Sequence, residues 1–99
     1  MSVGPESWAA AEVAERVVVL PKHLHARPAG QVAQAAARHP ATTIELVAGD
    51  RRANARSVLA VMALGAVTGS RVQVVVTGTG AVPVADEVVS ILESPEPDG

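Results

Sequence analysis

A predicted strand leads through a short loop into a predicted helix within residues 16–38, which read RVVVLPKHLHARPAGQVAQAAAR. The β-branched run of residues 16–20 predicts a strand with at least one buried face, and the proline that follows stops it. Pro28 suits the first turn of a helix, where its missing N–H would have no intrahelical partner anyway, so a helix is expected to continue over residues 29–38. The loop between the two elements therefore places His25 immediately before a helix.

The middle of the chain predicts a β-hairpin. Residues 43–46 alternate between polar and apolar side chains, which places Ile44 and Leu46 on the core face of a strand. Gly49-Asp50 is a turn signal, so residues 51–54 are expected to return antiparallel to that strand.

Two further helices and one strand follow the hairpin. Ser57 is a good N-cap for a helix over residues 58–64, which Gly65 would end. Residues 71–76 predict the fourth strand. A last helix is expected to start near Pro83, to carry two acidic residues in its first turn and to bury four apolar side chains at helical spacing. The acidic residues are Asp86 and Glu87, and the apolar ones are Val84, Val88, Ile91 and Leu92.

The predicted element order is βαββαβα, with one apolar stripe on each helix. It indicates an α+β fold, an open-faced two-layer sandwich in which three helices cover one face of a four-stranded antiparallel sheet. Periodicity alone leaves open a ferredoxin-like domain with an extra helix.

The chain has 99 residues, enough for one domain. We expect residues 16–93 to form it. Residues 1–15, interrupted by Gly4 and Pro5, are expected to be an N-terminal extension that is either helical or disordered. Residues 94–99 form an acidic, proline-containing tail.

The composition excludes several classes of function. The sequence contains no cysteine, which rules out disulfides, thiolate metal sites and cysteine catalysis. A formal net charge of −2 and a single aromatic residue, Trp8, argue against a nucleic-acid partner. No stretch approaches the roughly 20 apolar residues that span a bilayer. We therefore expect a cytoplasmic protein, not inserted in a membrane and monomeric, with a protein or small-molecule partner.

The position of His25 before a helix suits phosphoryl transfer. A neutral imidazole is a usable nucleophile, and a helix N-terminus offers N–H groups and a positive dipole end to phosphate oxygens. Arg27 adds a fixed positive charge. Ala26 is expected at the N-cap, where alanine costs about 1 kcal/mol relative to serine or aspartate, so the backbone of Ala26 and Arg27 is expected to cradle a phosphate. Such a site needs no metal or cofactor of its own.

Two segments carry a resemblance to a known family. Residues 24–29, LHARPA, resemble the active-site motif of the HPr family, the phosphocarriers of the phosphoenolpyruvate-dependent sugar phosphotransferase system. Residues 54–65, NARSVLAVMALG, resemble the second helix of that family, which starts with a serine and ends in Leu-Gly. The likeness covers residues 16 to about 93 and implies the open-faced sandwich.

The resemblance also implies roles for particular residues. Enzyme I would phosphorylate His25 on its δ1 nitrogen, His25 would pass the phosphoryl group to Enzyme IIA domains, and Arg27 would contact that group. Ser57 matches a serine that is a regulatory phosphorylation site in some lineages, on which a serine kinase would act. The docking surface for partners would include Val58, Leu59 and Met62.

This chain departs from the family pattern at several positions. His23 stands where the family commonly has a small residue such as glycine, so the resemblance does not extend to the backbone conformation of this loop. Gln34, Ala37 and Ala60 replace positions where many members have lysine, so the basic rim is thinner here.

Other interpretations have less support in the sequence. His23 and His25 could form a metal pair, but no further ligands complete a site. A histidine-dependent hydrolase would need a nucleophile or acidic partner near His25, and no such pattern is visible. A ligand-sensing domain would leave the motif at His25 without a purpose. Within the family, the sequence leaves open sugar uptake, a nitrogen-related regulatory branch and a dihydroxyacetone kinase relay. The preference for arginine over lysine, with abundant alanine and valine, hints at a GC-rich bacterial source.

Overall fold

The structure is a computed structural model, and it describes residues 12–94. The elements of these residues follow the order βαββαβα, as predicted. They are β1 (Val13–Val19), α1 (Ala26–Ala37), β2 (Thr42–Ala48), β3 (Arg51–Asn54), α2 (Val58–Ala63), β4 (Arg71–Gly78) and α3 (Ala81–Glu93).

The strands of the described residues form one antiparallel sheet in the order β1-β4-β2-β3. The last strand enters the sheet between the first two, so that Val72 lies opposite Val18 and Val76 lies opposite Ile44. The predicted hairpin joins β2 to β3, with Gly49 in the left-handed conformation (φ 64°) that its turn requires. The chain therefore returns to the middle of the sheet only after α2.

The core lies between one face of the sheet and the three helices found in residues 12–94. Alternate residues of the strands are buried, and the apolar stripes of the helices pack against them, among them Val32, Val61, Val84, Val88 and Leu92. On β1 the intervening valines, Val13, Val17 and Val19, are exposed. This arrangement confirms the predicted open-faced sandwich.

Strand β1 begins earlier than the sequence suggested. The predicted boundary placed residues 13–15 in the N-terminal extension, but Val13 is the first residue of β1 and Ala14 is 3% exposed opposite Val76. Alanine and glutamate are weak strand formers, so the pairing with β4 decides their conformation here. The rest of the predicted extension, residues 1–11, and residues 95–99 of the predicted tail lie outside the described residues.

Helix α3 also begins earlier, at Ala81, because Gly80 takes a left-handed N-cap conformation (φ 77°). Asp86 and Glu87 therefore lie in the second turn, and the expectation that they interact with the dipole in the first turn is wrong. They pair instead across the fold: Asp86 Oδ1 lies 3.3 Å from Arg16 Nε, and Glu87 contacts the end of α1. Ile91, which was expected in the core, is half-buried.

Arg56 joins the end of α1 to the start of β2. Its guanidinium donates hydrogen bonds to the backbone carbonyl oxygens of Ala36 (2.7 Å), His39 (3.1 Å) and Thr42 (2.9 Å). Ala36 lies in the last turn of α1, where carbonyl groups lack the regular intrahelical donor, and the guanidinium adds a donor there. The contact fixes where the chain leaves the helix that His25 precedes.

Candidate functional site

His25 is itself the N-cap of α1. Its backbone is extended (φ −90°, ψ −166°), and its ring Nδ1 accepts the backbone N–H of Arg27 at 3.4 Å. The helix begins at Ala26, so the expectation that Ala26 is an N-cap with uncapped amides is wrong. The ring of His25 accepts the backbone N–H of Arg27, a hydrogen bond that the side chain of a serine or aspartate N-cap ordinarily accepts.

The hydrogen bond to Nδ1 has a chemical consequence. A ring nitrogen that accepts a hydrogen bond carries its lone pair there, so a neutral ring holds its proton on Nε2. The side chains of His25 and Arg27 are both exposed. An imidazole, the backbone N–H of Arg27 that it accepts and a guanidinium thus come from neighbouring residues at an exposed helix start.

The loop before His25 is anchored to two other parts of the fold. The backbone N–H of Leu24 donates to the carbonyl oxygen of Ala66 (3.1 Å), in the segment between α2 and β4. Lys22 is 6% exposed, and its Nζ donates to the carbonyl oxygen of Ile91 (2.9 Å) near the end of α3. Sequence reasoning missed the role of Lys22, because nothing near a lysine in the chain marks a partner 69 residues away.

Ser57 is the N-cap of α2, as predicted. Its Oγ accepts the backbone N–H of Ala60 at 3.1 Å, and its backbone is extended (φ −103°). The serine is exposed, so its hydroxyl combines a capping role with access from solvent. The predicted stop at Gly65 is also observed, since Gly65 has a φ of 68° immediately after the helix C-cap.

The three residues predicted to dock partners differ in exposure. Leu59 is 79% exposed and Met62 is 38% exposed, whereas Val58 is partly buried and packs against the core. The segment after α2 reaches the His25 loop through the contact of Leu24 with Ala66. The chain that follows α2 and the loop that carries the candidate nucleophile are thus in direct contact.

The metal-pair interpretation finds no support in the described part of the chain. Within residues 12–94, no group of three or more histidine, cysteine, aspartate or glutamate side chains could hold a metal ion. Over the same residues, no helix has the length and apolar character needed to cross a bilayer.

The fold and the site define a class of protein: an open-faced α+β sandwich that presents an exposed histidine at the start of its first helix. Residues 13–94 match the family model described as the PTS HPr component phosphorylation site. The chain belongs to the HPr family of phosphocarriers.

Individual relatives agree with this assignment. The phosphocarrier protein HPr of Treponema pallidum (strain Nichols) is 37% identical over 71 residues, which cover 72% of this chain and 80% of the relative. The crystal structure of HPr from Bacillus anthracis str. Ames matches with a TM-score of 0.75 at 24% identity, covering 82% of this chain and 98% of that one. The histidine-containing phosphocarrier protein of Mycoplasma matches with a TM-score of 0.73 at 25% identity, covering 79% and 90%. Membership of the HPr family, together with the matching fold, excludes the ferredoxin-like domain that periodicity alone left open.

Proposed function

We propose that this chain accepts a phosphoryl group on Nδ1 of His25 from phosphorylated Enzyme I and passes it to Enzyme IIA-type acceptors in sugar uptake. The observation that carries the proposal is the hydrogen bond from the N–H of Arg27 to Nδ1, which directs the lone pair of that nitrogen toward the start of α1. The family membership supplies the class of reaction, and the position of His25 as the N-cap of α1 favours its Nδ1 as the nucleophile.

The imidazole of His25 acts first as the nucleophile and then as the leaving group. The lone pair of Nδ1 forms a bond to phosphorus while the bond from phosphorus to its group on Enzyme I breaks, and that electron pair leaves with Enzyme I. Nε2 keeps its proton, so the imidazole of His25 remains a good leaving group. Attack by an Enzyme IIA nucleophile then returns the electron pair to Nδ1.

The backbone N–H of Arg27 changes its acceptor during this step. Once Nδ1 is bonded to phosphorus, its lone pair no longer accepts a hydrogen bond, and the nearest new acceptors are the phosphoryl oxygens. The amides of Ala26 and Arg27 would then hold those oxygens at the positive end of α1. The guanidinium of Arg27 would add charge stabilisation, which is the main contribution a protein makes to phosphoryl transfer.

Partner proteins would dock beside this site. Leu59 and Met62 offer exposed apolar side chains on α2, Val58 beside them in the helix packs against the core, and the segment after α2 contacts the His25 loop. Ser57 precedes these residues, so a phosphate added there by a serine kinase would place negative charge at the start of the same helix. We place this protein, together with these proposed partners, in the cytoplasm.

The proposal is tested with purified Enzyme I, phosphoenolpyruvate and an Enzyme IIA domain. We expect one phosphoryl group per chain, labile in acid and stable in base because protonation weakens a phosphorus–nitrogen bond. An Enzyme IIA domain should discharge it. Labelling that survives acid would indicate serine or threonine instead.

Two variants identify the nucleophile. His25→Ala should abolish labelling, whereas the matched control His23→Ala should still reach nearly one phosphoryl group per chain. If His23→Ala abolishes labelling and His25→Ala does not, the nucleophile has been assigned to the wrong histidine.

A further inference from the structure

Two loops lie side by side where the chain approaches His25. The first, residues 20–24, leads from β1 to α1, and the second, residues 66–70, leads from α2 to β4. Backbone hydrogen bonds join them at one end, where Leu20 N–H donates to Ser70 O (2.9 Å) and Gly69 N–H donates to Leu20 O (2.8 Å). At the other end, Leu24 N–H donates to Ala66 O (3.1 Å).

Between these two ends the connection is made by a side chain. The ring Nδ1 of His23 accepts the backbone N–H of Thr68 at 3.2 Å. His23 adopts an ordinary backbone conformation, since no residue other than glycine has a positive φ within residues 12–94. The imidazole thus completes the contact between the loops without backbone strain, two residues before the candidate nucleophile.

We infer that His23 is a positioning residue for phosphoryl transfer: by accepting the N–H of Thr68, its ring holds the loop that carries His25 in the geometry needed for attack. The inference rests on the proposed function and assigns a second histidine a role in it. His23 contacts no reacting atom, and its effect passes through the backbone to His25.

The effect should be on geometry rather than on folding. His23 is exposed, and the neighbouring anchors of the same loop are buried: Leu24 is 4% exposed and Lys22 is 6% exposed. Loss of the His23 contact therefore leaves the loop attached but less ordered between its ends. Because transfer depends steeply on the placement of the attacking atom, a modest loss of order is enough to slow it.

Three substitutions separate the hydrogen bond from the mere presence of a side chain. Asparagine places its Oδ1 at the same number of bonds from Cα as Nδ1, so His23→Asn keeps an acceptor for Thr68. His23→Gln moves the acceptor one bond further out, and His23→Ala removes it. We expect kcat for phosphorylation by Enzyme I to fall roughly fivefold in the alanine and glutamine variants and to stay within about twofold in the asparagine variant.

The Michaelis constant provides an internal control. Because the proposed docking residues lie on α2, we expect KM of Enzyme I for the chain to be the same in all four proteins, with Tm values within about 2 °C of each other. Equal kcat in the alanine and asparagine variants, or a change confined to KM, would overturn the inference.

The positioning effect of His23 can also be measured without Enzyme I, so that its test does not depend on the proposed function. The ¹H–¹⁵N signal of the Arg27 amide reports its hydrogen bond to His25 Nδ1, and we expect His23→Ala to shift or broaden it while His23→Asn leaves it in place. An unchanged Arg27 amide in the alanine variant would contradict positioning by His23. Failure of the unsubstituted chain to be labelled, with the amide behaving as expected, would contradict the proposed function alone.

Discussion

Substitution of Ser57 by aspartate should separate helix capping from partner docking. In the structure Ser57 Oγ accepts the N–H of Ala60 at 3.1 Å, and a carboxylate oxygen can accept the same hydrogen bond. Helix α2 has no acidic residue in its first turn, so the new charge meets the positive dipole end without a like charge beside it in that turn.

The magnitudes follow from these contacts. Ser57→Ala removes the cap and should cost about 1 kcal/mol, which lowers Tm by about 4–8 °C in a domain of this size. Ser57→Asp keeps the cap and gains about 0.3–1 kcal/mol from the dipole, so its Tm should equal or slightly exceed that of the unsubstituted chain. Its charge precedes the exposed side chains of Leu59 and Met62 on α2, where it would repel a partner whose docking surface is acidic.

The assay combines thermal unfolding with the initial rate of phosphorylation by Enzyme I. We expect Ser57→Asp to slow phosphorylation about tenfold at low salt, and the deficit to shrink as added salt screens the repulsion. Ser57→Ala should be phosphorylated at nearly the normal rate despite its lower Tm. An unchanged phosphorylation rate in the aspartate variant would show that Ser57 lies outside the docking surface. A Tm as low as that of the alanine variant would refute the argument that aspartate keeps the cap.

The remaining predictions concern one residue of the site and two of the scaffold. Arg27→Ala should slow transfer about tenfold without lowering Tm, because the side chain is exposed; a marked fall in Tm would show that Arg27 is structural. Arg56→Lys should cost about 2 kcal/mol in urea unfolding, because an ammonium cannot reproduce the fork that serves several backbone carbonyls; equal urea midpoints would contradict this. Hydrogen bonds from Arg38 and His39 lower the pKa of Glu87, so Glu87→Gln should cost about 0.5 kcal/mol at pH 7. That difference should vanish as the pH falls through the depressed pKa, because the stabilisation requires the ionised carboxylate; a difference that persists in acid would refute it.

The sequence could predict the parts of the fold that repeat with a regular period. Ile44 and Leu46 alternate with polar residues, and Val84, Val88 and Leu92 recur at helical spacing, so both patterns identify a buried face within a few residues. The start of β1 escaped prediction because Ala14 is held in the sheet by Val76, far along the chain. Local propensity could not contain that information.

The features of the site also divide into those with a local signal in the sequence and those without one. The motif around His25 and the cap at Ser57 are local, and both positions could be found from their neighbours in sequence. The hydrogen bonds of Lys22 and His23 join residues 69 and 45 positions apart, so neither has a local signal. The capping of α1 by His25 itself was also missed, because histidine is not among the residues that ordinarily cap helices.

The most direct test of phosphoryl transfer to Nδ1 of His25 is ¹⁵N NMR of the histidine rings before and after treatment with Enzyme I and phosphoenolpyruvate. We predict that the Nδ1 signal of His25 shifts strongly and couples to phosphorus, that the Arg27 amide shifts as its hydrogen bond moves to the phosphoryl oxygens, and that no ring nitrogen of His23 or His39 couples to phosphorus. Coupling of phosphorus to Nε2 of His25, or to either of the other two rings, would contradict the assignment.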